Sequence, residues 1–119
     1  MLAQSDLGLM VPEVHLFHRY RRFKRFVSKL SGKEHDFLKA PALTFYEDGI
    51  AAVYIGHRGK KDTETALLVH EAYHVAYRHM EFLGEDDYGE ETMAYLVQTV
   101  AHGLVRAHRR WRRGKRDSR

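Results

Sequence analysis

The chain has 119 residues, 44% of them hydrophobic, which suits one domain with a modest core. It carries a formal net charge of +4 and no cysteine, so disulfides, zinc ribbons and thiolate-ligated metal are excluded. No run approaches the roughly 18 unbroken apolar residues of a membrane-spanning helix, and residues 1–10 lack the basic start and apolar stretch of a signal peptide, so neither is expected.

In chain order, Pro12 precedes Val14-His15-Leu16-Phe17-His18, whose alternation predicts a short strand. Residues 19–30 turn helical: Tyr20, Phe23, Phe26, Val27 and Leu30 recur at helical spacing, opposite a face of arginines and lysines, and Ser31-Gly32 ends the helix. Residues 33–40 read as a loop. Leu43-Thr44-Phe45-Tyr46 and residues 50–55 are two strand-like runs joined by Glu47-Asp48-Gly49, a hairpin signal. A polar loop over 56–61 leads to a helix expected to start near Thr63, with a hydroxyl or Asp62 as its cap, and to run to Gly84.

That helix carries the pentad His70-Glu71-Ala72-Tyr73-His74. Histidines at i and i+4 share one helix face, so both imidazoles can reach one zinc ion with the intervening glutamate beside it. Leu68, Ala72, Val75 and Ala76 form an apolar stripe, widened by Leu67 and Val69, which predicts a helix buried nearly all round. Two histidines and a carboxylate buried there without partners would be costly, and a metal removes that cost. A plain core helix whose histidines bond to carbonyls is the alternative. Tyr73 and Tyr77 read as core aromatics, and His79 lies on another face of the helix, about 140° from His74.

An acidic loop follows Gly84, and a second helix starts near Gly89 and includes residues 90–102. Returning antiparallel, it would bring Glu90 or Glu91 back beside the two histidines. The expected order is β-α-β-β-α-α, an α+β domain with one short mixed sheet on the pentad helix and residues 51–55 as the strand nearest it. A strand at the sheet edge there could bind a substrate as an added strand.

His70-Glu71-x-x-His74 followed by Glu91-x-x-Ala94-Tyr95 resembles the gluzincin pattern of zinc metallopeptidases. Residues 66–105 also resemble small zincin-like proteins of tailed phages and prophages, through HEAxH and Gly89-Glu90-Glu91-Thr92-Met93-Ala94-Tyr95. The resemblance implies a minimal zincin-like core, His70, His74 and Glu91 as ligands of one zinc ion, and Glu71 as general base. It implies hydrolysis of a protein or peptide substrate by zinc-activated water. The absence of cysteine suits a cytoplasmic setting, that of a host cell if the gene is phage-borne. Ala94 departs from the larger gluzincins, where an Asp often supports a ligand histidine. Tyr88, Tyr95, His102, Tyr73 and Tyr77 are candidates by type for stabilising the oxyanion; His102, three turns from Glu91, is expected to serve helix packing instead.

Residues 1–108 are read as the single domain and residues 109–119 as a basic, disordered tail, which could contact nucleic acid with Trp111 available to stack. Two other functions compete: a zincin-fold phage protein whose metal is structural, and a nucleic-acid-binding accessory protein acting through that tail.

Overall fold

The computed structural model describes residues 11–56, 59–84 and 89–117. Asp48 and Gly49 both take positive φ, 50° and 84°, as the two central residues of a type I′ turn must. That turn joins β2 (Ala42–Glu47) to β3 (Ile50–Ile55) as an antiparallel hairpin, with Glu47 opposite Ile50. β1 (Glu13–Phe17) pairs parallel with the other side of β3, giving the order β1-β3-β2. The central strand is therefore β3, and β1 and β2 are the edges. β3 is correspondingly the most apolar strand, with Ala51, Ala52, Val53 and Ile55 fully buried.

Strand alternation divides the core in two. Ala52 faces α1 (Tyr20–Ser31), together with Phe17, Leu43 and Phe45, and closes over the fully buried Phe23 and the buried Val27. Ala51, Val53 and Ile55 face the other way, towards α2 (Lys61–Phe82) and α3 (Gly89–Asp117). There they meet Leu68, Ala72, Val75, Ala76 and Met80 of α2 and Leu96, Val100 and Leu104 of α3. The chain is thus an α+β fold of three helices and a three-stranded mixed sheet, in the predicted element order. Among the described residues, no helix is long and apolar enough to cross a membrane.

Three expectations shift. α2 begins at Lys61, two residues before the expected start, and no side chain caps it. α2 is not apolar all round, because Val69, Tyr73 and Tyr77 keep 43%, 50% and 42% of their surface exposed. The helix also continues where a disordered tail was expected: α3 runs on to Asp117. The reason is its buried row, which advances four residues at a time through Leu96, Val100, Leu104 and His108, so residue 109 lies inside a packed helix. Residues 118 and 119 lie outside those described.

Candidate metal centre

α2 presents His70, His74 and Arg78 one turn apart towards β2. The Nε2 atoms of His70 and His74 lie 3.2 Å apart, and both side chains are exposed. Two nitrogens bound at about 2.0–2.1 Å to a tetrahedral zinc fall roughly 3.3 Å from each other, so the pair fits a shared cation. In its absence one imidazole can donate to the other. The pair opens into a cleft of about 440 Å³, lined by residues 42–46 of β2 with His70, Glu71, His74 and Arg78.

Glu71 reaches towards the sheet and is 6% exposed. Thr44 Oγ1 donates a hydrogen bond to its Oε1 at 2.7 Å, which satisfies a carboxylate that would otherwise be costly to bury. Ala42, Thr44 and Tyr46 are the β2 residues on the α2 side. The Tyr46 hydroxyl hydrogen-bonds His79 Nδ1 at 2.6 Å, and burial lifts the Tyr46 phenol above its usual range. His79 is accordingly buried beneath β2, away from the exposed pair. The strand packed most extensively on α2 is β2, an edge strand, rather than the predicted residues 51–55 of central β3.

The structure does not gather the proposed third ligand with the pair. Glu91 stands exposed in the first turn of α3. Counting back from the Glu64–His108 contact along the antiparallel helices puts Glu91 near the level of residue 81, about 10 Å beyond His74. Glu90 borders a separate apolar groove with Val69, Tyr73, Met93 and Val97. Among the described residues, no three His, Asp or Glu side chains are grouped closely enough to hold a metal. Of the residues considered for the oxyanion, Tyr73 and Tyr77 are half-exposed and stacked on each other at 6.2 Å, not core aromatics. Tyr95 is 46% exposed and His102 is also on the surface, while Tyr88 lies outside the described residues.

A second polar cluster lies at the other end of α2. Glu64 is 3% exposed, and its Oε1 accepts from His108 Nε2 at 2.5 Å and from Arg112 Nη1 at 2.6 Å. Its Oε2 accepts the Gly59 N–H at 2.9 Å. Burial alone would raise the Glu64 carboxyl, but the Gly59 N–H, His108 and Arg112 outweigh it and hold the group below its ordinary value. His108 Nδ1 in turn shares a hydrogen bond with His18 Nε2 at 2.9 Å, and His18 stacks on Trp111 with centroids 3.8 Å apart. The Trp111 ring face expected to be open for bases is thus applied to His18.

Compared with known proteins, the chain matches no protein family, no curated protein and no solved structure. The pentad was legible in the sequence. Thr44 and Arg78 were not singled out, although Thr44 shares its strand parity with Tyr46 and Arg78 follows His74 by one helical turn.

Proposed function

We propose that the chain is a metal-dependent hydrolase of zincin type, with His70 and His74 as the first two ligands of one zinc ion. The observation that carries this reading is the convergence of the two Nε2 atoms to 3.2 Å in a cleft that also contains Glu71. A zinc ion held there supplies a Lewis acid and makes water a usable nucleophile near neutral pH. Glu71, braced by Thr44, would act as the general base, accepting a proton from water and giving it to the leaving amine. Glu91 is proposed as the third ligand on the strength of the gluzincin-like spacing, and its turn of α3 must move towards the pair to serve.

The proposed substrate is a protein or peptide. β2 supports this, since an edge strand beside the cleft leaves backbone donors and acceptors for an extended segment. A cysteine-free chain suits the reducing cytoplasm, of a host cell if the gene is phage-borne, and that is the setting we propose.

The test is metal analysis of purified wild type, His70→Ala, His74→Ala, Glu91→Ala and Glu71→Gln, paired with hydrolysis of a mixed peptide library. Stoichiometric zinc in wild type and Glu71→Gln, lost in both histidine variants, with hydrolysis only in wild type, supports the proposal. Zinc retained in every form, or none in wild type, overturns it. Zinc bound as expected with no hydrolysis in wild type leaves a structural metal instead.

A further inference from the structure

We propose that a cationic cleft between the first turn of α2 and the last turns of α3 binds the phosphodiester backbone of a nucleic acid. The cleft has a volume of about 370 Å³ and lies at the far end of α2 from Arg78. Lys61, Arg109, Arg112 and Arg113 line it, against Asp62 and Glu64. The two acids do not balance the four cations, and one of the two is already committed: Glu64 is buried and held by His108 and Arg112. Lys61, Arg109 and Arg113 are exposed and make no ion pair among the described residues. Like charges gathered in this way repel one another, and an anion in the cleft relieves them.

Arg112 gives the cleft a fixed element. One guanidinium nitrogen is pinned to Glu64 at 2.6 Å, and the side chain remains 35% exposed. An arginine immobilised by a buried carboxylate presents its other N–H groups without losing further side-chain freedom, which favours phosphate recognition. The Glu64–His108–His18 chain holds this end of α3 to the junction between β1 and α1, two residues before the helix starts. Arg19, Arg21 and Arg22 beside that junction are exposed as well, and with the four cations of the cleft they exceed the charge that a single phosphate can neutralise. A polyanion therefore matches the site better than a free phosphate. Trp111 is stacked on His18 and offers no exposed apolar wedge at the cleft, so a nucleic-acid backbone matches better than a lipid surface. Contacts of this kind position a backbone and carry no sequence preference.

The test uses the full chain and a fluorescein-labelled 20-nucleotide oligonucleotide, single-stranded and duplex, read by anisotropy across a salt series. Arg109→Ala/Arg113→Ala removes two exposed charges, and Lys29→Ala/Lys33→Ala removes two from the other end of α1 as a control. The expected result is a loss of at least about tenfold in affinity near 0.1 M salt for the arginine pair, with the salt slope reduced by about 2. The control pair should stay within about threefold of wild type. Unchanged binding in the arginine pair overturns the proposal, as does an equal loss in both pairs, which marks diffuse net charge. Binding of inorganic phosphate without the oligonucleotides overturns the polyanion assignment. Tighter binding to vesicles of anionic phospholipid than to either oligonucleotide overturns the choice of nucleic acid over membrane.

Discussion

Thr44 on β2 donates to Glu71 on α2 across 2.7 Å, so a hydroxyl–carboxylate bond joins the edge strand to the pentad helix, alongside the Tyr46–His79 contact. The bond fixes the one carboxylate in the cleft that carries the proposed base chemistry. Thr44→Val keeps the shape and deletes the donor. The expected effects are a fall in kcat of about tenfold with KM little changed, and a stability loss of about 1–3 kcal/mol from a buried carboxylate short of one partner. Thr44→Ser should restore both. Peptide-hydrolysis kinetics and urea denaturation read the two effects separately.

Metal should stabilise the fold wherever the histidine pair is intact. Added zinc at about a hundredfold excess over its Kd contributes roughly 2.7 kcal/mol to the native state. Wild type and Glu71→Gln are expected to show a Tm several degrees higher with zinc than with chelator, and His70→Ala and His74→Ala no difference. Differential scanning fluorimetry measures it without reference to turnover.

Glu64 makes the far end of α2 acid-sensitive. Its folded carboxyl lies below the ordinary value, so the stability it confers is complete above the unfolded pKa of about 4.3 and is lost as pH falls through the folded value. Denaturant midpoints should therefore drop as pH is lowered from 5 towards 3, and drop less in Glu64→Gln. Glu64→Ala strands His108 and Arg112 without their anion and should cost on the order of 3 kcal/mol at pH 7.

Trp111 is the only tryptophan in the chain and lies flat on His18, with an interplanar angle of 3°. It therefore reports on the contact between the start and the end of the fold. His18→Ala should shift its emission to longer wavelength while far-ultraviolet circular dichroism stays native. Truncation after residue 110 removes both the stack and the Arg112 ion pair and should cost about 2–4 kcal/mol in urea titrations.

The element order was readable because the alternation of residues 14–18, the strand-like runs at 43–46 and 50–55 and the Glu47-Asp48-Gly49 turn are local signals. Pairing partners were not, since β1 joins β3 in parallel through a contact no neighbouring residue announces. The pairing of His70 with His74 was legible because i and i+4 fix a shared helix face whatever the tertiary structure does. Glu91 depended on the register of α3 against α2, and that register is set elsewhere, by Glu64 and His108. The basic composition of residues 109–117 suggested a solvated tail. The buried row ending at His108, together with Arg112 bound to Glu64, overrides it.

His18 and His108 are 90 positions apart, yet their rings touch. On a ribosome adding roughly 5–20 residues per second, the β1–α1 junction must wait about 5–20 s after its own synthesis before its partner is made. Closure of this domain therefore waits on the synthesis of α3. Until α3 has emerged, the apolar face of the sheet that it covers is open to solvent and to any chaperone within reach.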